Sequence, residues 1–189
     1  MWVFPGGRVD PGDLDVGDPD AELDAARRAA VREAQEEAGL VLEPASLVTF
    51  SHWMPPPEAP RRFSTWFFLA PAPSGADVQI DGGEIHEHGW LTPADALARR
   101  DAGEVELAPP TWVTLWRLAS APTVAAAVAD AEAREPERFA TRIGRIGESM
   151  VAMWHGDAGH ADGDAERDGA RHRLWMLPDG WRYELTDPR

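Results

Sequence analysis

The chain of 189 residues contains no cysteine, no lysine and no asparagine, and only one tyrosine. Without thiols it forms no disulfide, holds no zinc through thiolates and has no cysteine nucleophile. Without lysine, Schiff-base chemistry and a phosphate-loop lysine are both excluded, and every fixed cation is one of 18 arginines. Those arginines face 33 acidic residues, for a net charge of −15. So acidic a chain is poorly suited to tracking a nucleic-acid backbone, because counterion release needs a basic surface. A small anion bridged by a metal remains compatible with it. No apolar run reaches the roughly 18 residues of a membrane span, and the first residues lack a basic region followed by an apolar stretch and a cleavage site. The sequence therefore predicts a cytoplasmic protein with neither nucleic-acid nor membrane partners. Hydrophobic residues at 43% and charged residues at 27% are near the globular average, which argues against disorder. The length suits one compact domain, or one domain with an appendage.

What is present has clear punctuation. Trp2-Val3-Phe4 reads as the tail of a strand ended by Pro5-Gly6-Gly7. A strand tail so near Met1 leads us to expect that N-terminal strands of the sheet are missing from this chain, leaving an edge open for pairing in a homodimer. The Gly-, Pro- and Asp-rich stretch 8–18 is a loop. Asp18-Pro19 starts an alanine-rich helix that runs to Ala38 and stops at Gly39. Leu47–Phe50 and Phe63–Leu69 read as strands around a proline-rich segment, His52 to Pro60, and the second, aromatic on both faces, reads as central. Val78–Ile80 is a weak strand candidate. Thr92-Pro93 caps a helix to Ala98 or Arg100; further helices follow at 112–118 and 124–134. Beyond Phe139, Ser149–Trp154, Arg171–Leu177 and Trp181–Leu185 read as strands around an Asp/Gly/His-rich stretch. We accordingly divide the chain into a main domain, 1–140, and a small C-terminal β appendage, 141–189.

On the alanine-rich helix, Glu33, Glu36 and Glu37 stand at i, i+3 and i+4, so three carboxylates share one face. Two readings fit. Arg32 can pair with Glu36 one turn on, as on many solvated helix faces. The stripe can also bind a hard divalent cation such as Mg²⁺, which prefers carboxylate oxygens and keeps positions for water and phosphate. Arg61 and Arg62 precede a strand and are candidates to grip a phosphate, or simply face solvent. Trp53 and Trp66 read as core, with stacking on a base as the alternative. His155, Asp157, His160, Asp162 and Asp164 match neither an EF-hand loop nor a helical pair of histidines, and read as a solvated acidic hairpin tip.

Gly7, five residues, Asp13, and then Arg32-Glu33-Ala34-Gln35-Glu36-Glu37-Ala38-Gly39-Leu40 resembles the Nudix box, G-x5-E-x7-R-E-U-x-E-E-x-G-U. Ala34 takes an aliphatic position, Asp13 replaces the first Glu, and eighteen residues stand before Arg32 where the pattern has seven. Ala59-Pro60-Arg61-Arg62-Phe63, Phe67-Phe68, Trp90-Leu91-Thr92-Pro93 and Leu107-Ala108-Pro109-Pro110 are similar to the Nudix branch that includes the peroxisomal coenzyme A diphosphatase, which also carries an insertion in its box. The resemblance spans Trp2 to about Leu118. It implies an α/β fold, an α/β/α sandwich around a mixed sheet, and Mg²⁺- or Mn²⁺-dependent hydrolysis of a diphosphate in a nucleotide-type small molecule. Coenzyme A or an acyl-CoA leads the substrates; ADP-ribose, NADH or another nucleotide, and a binding module with little turnover, are the alternatives. By the same resemblance Glu33, Glu36 and Glu37 are the metal ligands, Arg32 orients Glu33, Gly6 and Gly7 bend the backbone over the site, and Glu84, with Glu87 as second choice, is base or extra ligand.

Overall fold

The structure, a computed structural model, describes residues 1–14, 21–60, 62–73, 75 and 88–186. The box segment folds as α1 (Ala21–Ala38), with Glu22 and Asp24 in its first turn, where the helix dipole favours anions. Its buried stripe is Ala25, Ala29, Ala34 and Ala38. Alanine costs no side-chain entropy in a helix and lets the backbone approach its neighbour closely. Gly39 takes a left-handed φ of 65°, and the Leu40 N–H closes the end onto the Ala34 carbonyl at 3.1 Å.

Beside α1 lies a mixed sheet. β1 (Val48–Met54) pairs antiparallel with β2 (Thr65–Leu69) and parallel with β3 (Glu137–Ala140). Among the described strands β1, not β2, is therefore central. Phe50 to Trp53 are buried in succession, as expected of a strand covered on both faces. That burial also corrects the expected strand end: His52, Trp53 and Met54 belong to β1, not to the proline-rich loop. A register shift between Thr49 and Ser51 leaves Phe50 as a bulge. α2 (Pro93–Asp101) begins at Thr92, whose hydroxyl accepts from the Asp95 N–H at 3.1 Å; α3 (Pro109–Leu118) packs on α2, and α4 (Val124–Glu132), capped by Thr123, packs on β1. Trp2 makes a single parallel bridge to Leu107. The cap expected at Asp18 and the strand expected at 78–80 lie outside the described residues.

The C-terminal strands form a second sheet, an antiparallel meander of β4 (Arg142–Ile146), β5 (Ser149–Met153), β6 (His172–Leu177) and β7 (Gly180–Leu185). β3 and β4 escaped the sequence reading: with Arg at 138, 142 and 145 they lack an apolar run. The two sheets share one core. Trp53 on β1 stacks on Phe139 of β3 at 3.9 Å and 6°, and Trp154, just after β5, meets both rings edge-on at 5.6 and 5.2 Å. Leu107, Trp112, Val113, Leu174 and Tyr183 belong to the same cluster.

Candidate active site

Arg32 organises the box. Its Nη1 donates to Glu33 at 2.8 Å and Glu36 at 3.0 Å, while Nη2 donates to the Arg8 carbonyl at 2.8 Å and to Asp13 at 3.2 Å. The guanidinium fork thus joins two carboxylates of one helix face to the loop that follows the glycines. Asp13 is buried and also accepts from the Asp10 N–H at 2.9 Å. Burial pushes its carboxyl up, but the Asp10 N–H and Arg32 outweigh burial and hold it below the ordinary aspartate range. The long segment between Asp13 and Arg32 therefore does not separate them in space. A shorter acid than the pattern's Glu still reaches the guanidinium.

The glycine turn sits on the other two sides of the stripe. The Gly6 N–H donates to Glu37 at 2.9 Å. A Cβ at position 7 would lie 2.1 Å from Glu33 Oε1, so any other residue there forces that carboxylate to move. Both readings of the helix face have a counterpart here. Arg32 does pair with Glu36 at i+4, and Glu33 and Glu37 of the same helix lie against the backbone turn at Gly6 and Gly7.

As a donor set for a cation, Glu33, Glu36 and Glu37 offer oxygen only, the chemistry a hard divalent ion requires. Among the described residues no three metal-ligating side chains converge as a ready-made cluster. Glu33 and Glu36 are turned onto Arg32, and Glu37 onto Gly6. Glu36 leaves 59% of its side chain exposed. The residues therefore fit such an ion by the chemistry of their donors and by sharing one helix, while two of the three carboxylates are engaged by Arg32.

Of the other candidates, Arg62 is exposed and makes no hydrogen bond or ion pair with a described residue. Arg61, Glu84 and Glu87 lie outside the described residues. Trp53 is core, stacked on Phe139. Trp66 is stacked at 3.9 Å on His52, whose Nε2 pairs with the Ser64 hydroxyl. Of the residues read as a solvated tip, His155, Asp162 and Asp164 are exposed and His160 is half-buried, but Asp157 is buried. Asp157 and Arg173 are fully buried and doubly hydrogen-bonded, at 2.6 and 2.7 Å. Asp157 also accepts from the N–H groups of Gly159 and His172, each at 2.9 Å. Asp157-Ala158-Gly159 is an Asx-turn pattern that the sequence could have revealed. By contrast, the Arg8 carbonyl as a partner of Arg32 had no sequence signal.

A helix bearing a carboxylate stripe, clasped by a glycine turn and set beside a mixed sheet, defines an α/β protein built around a box-type site. The NUDIX domain model matches residues 1–111, and the chain belongs to that family. A crystal structure of a NUDIX hydrolase from Alicyclobacillus acidocaldarius superposes with a TM-score of 0.58 at 24% identity, covering 67% of this chain and 79% of that one, which supports the fold. A Caenorhabditis elegans protein described as "Putative nudix hydrolase 7" is 28% identical over a match covering 61% of this chain. The chain spans about half the length of that relative, at 49%.

Proposed function

We propose that the chain hydrolyses the diphosphate linkage of a nucleotide-type small molecule with Mg²⁺ or Mn²⁺ as cofactor. The observation that carries the reading is the Arg32 hub, which gathers Asp13, Glu33 and Glu36 while the Gly6-Gly7 turn abuts Glu33 and Glu37. A divalent cation, when bound, neutralises diphosphate oxygens and eases attack by water on phosphorus. Glu33, Glu36 and Glu37 would hold it. Arg32, anchored by Asp13 and the Arg8 carbonyl, keeps Glu33 and Glu36 on that face. In the reaction a water oxygen bonds to one phosphorus, the bridging P–O bond breaks, and a carboxylate takes the water's proton; Glu84 is our candidate for that base. Arg62, exposed and unpartnered among the described residues, is available to a phosphate, and Arg61 is proposed for the same task on sequence grounds.

For substrate, the branch resemblance favours coenzyme A or an acyl-CoA, giving adenosine 3',5'-bisphosphate and 4'-phosphopantetheine or its acyl form. ADP-ribose and NADH share the linkage and are the runners-up. A Nudix-fold binding module with little turnover is a second reading, favoured by one observation: the carboxylates engage Arg32 and Gly6 and do not already converge. Glu36→Gln and Glu37→Gln separate the two. Each removes charge and preserves shape, so we expect most turnover to be lost with an unchanged melting temperature. Wild-type rates from both variants would overturn the metal assignment.

A further inference from the structure

Arg8 is exposed and lies immediately after the glycine turn. Its carbonyl is held by Arg32 at 2.8 Å, so its backbone is tied to the box helix. Its guanidinium carbon sits 5.4 Å from the centroid of the Phe63 ring. Phe63 directly follows Arg62 and stands just ahead of β2. The Arg8 guanidinium donates no hydrogen bond and forms no ion pair with any described residue. Phe63 leaves 55% of its surface exposed. A guanidinium within about 6 Å of a ring centroid is held there by a modest cation–π attraction. The turn that carries Arg8 is held at the same time by Phe4, whose ring meets Phe67 of β2 edge-on at 6.1 Å.

We infer that Arg8, propped by Phe63, is an anion-binding arm of this site that takes a phosphate of the substrate's diphosphate. The inference rests on the reading of the box as a diphosphate site and adds a recognition residue and its support to it. A planar guanidinium presents paired N–H donors that match two phosphate oxygens, and the Phe63 ring restricts the side-chain freedom that would otherwise be lost on binding. The arm projects from the residue next to Gly7, against whose Cα the Glu33 carboxylate already lies. Phe63 acts as a positioning residue through Arg8.

The test measures binding of ADP by calorimetry in EDTA, so that it does not depend on metal or turnover. We expect Arg8→Gln to weaken ADP roughly tenfold, the loss of one charge-assisted contact, and to flatten the salt dependence of binding. Phe63→Leu should weaken it several-fold, and Phe63→Tyr, which keeps the ring, should restore wild-type affinity. In turnover assays the loss should appear mainly in KM. Equal ADP affinity in the wild type and Arg8→Gln, or no ADP binding by the wild type, overturns the arm. Loss of turnover in Glu36→Gln with ADP binding intact bears on the box alone, so the two claims fail separately.

Discussion

At the scale of single residues, the site depends on one guanidinium and two glycines. Glycine at 7 is dictated by contact: its missing Cβ is where the Glu33 carboxylate lies. Gly7→Ala is therefore expected to push Glu33 aside and, as misplacements of about 1 Å commonly do, to cut activity about a hundredfold. Near-normal kcat with a folded protein would show that Glu33 does not need its present place. A second residue-scale prediction concerns the buried Asp157–Arg173 pair. Asp157→Ala leaves a fully buried guanidinium uncompensated and should cost about 3–5 kcal/mol of stability, read by urea denaturation. A change under about 1 kcal/mol would mean that water reaches Arg173. What the sequence offered at this scale was residue type and spacing. The i, i+3, i+4 carboxylates were legible because helix geometry is regular, and Asp13 was legible as the acid nearest the pattern's first Glu. That Arg32 reaches Asp13 and the Arg8 carbonyl depends on the path of an irregular loop, and no periodicity encodes that path.

Among the elements, helices were the most legible. α1 stops where Gly39 predicts, and Thr92 and Thr123 cap as their side chains allow. Strands were legible only where branched and aromatic residues cluster. β1 ran four residues past its expected end, because His52 is tolerated inside the strand by stacking on Trp66 and pairing with Ser64. β3 and β4 were invisible for lack of apolar alternation; pairing with β1 and β5 supplies what their own sequence does not. The boundary near residue 140 falls between those two strands, yet Trp154, Leu174 and Tyr183 lie in the same cluster as Trp53 and Phe139. Deleting residues after Ala140 removes these three side chains, worth about 1.5–3 kcal/mol each, from a domain whose whole stability is typically about 5–15 kcal/mol. We predict that a 1–140 fragment shows no cooperative thermal transition by circular dichroism. A sharp transition would mean that 1–140 folds independently of the second sheet.

At the scale of the whole molecule, the strong negative charge sits on a fold whose histidines are partly hidden. Burial holds the His52 ring below the ordinary histidine value; Glu22 opposes this and Arg138 reinforces it. Burial likewise lowers His172, against the His155 carbonyl and Glu137, which favour the proton. Unfolded, both rings take up a proton near pH 6.5. Between that pH and their lower folded values the unfolded chain binds more protons, so stability falls as pH drops through this window. We expect the melting temperature to decline from pH 7.5 to 5.5 and the slope to lessen in His172→Gln. A flat profile would contradict the burial of these rings. Among the described residues no helix is long and apolar enough to cross a membrane. The central claim concerns the box, and phosphorus NMR tests it most directly. The purified chain is incubated with Mg²⁺ or Mn²⁺ and coenzyme A, ADP-ribose or NADH in turn. The account predicts that at least one diphosphate resonance gives way to monophosphate signals, and that EDTA and Glu36→Gln each stop the change. Unaltered diphosphate resonances with every substrate, from a chain shown to be folded, would contradict it.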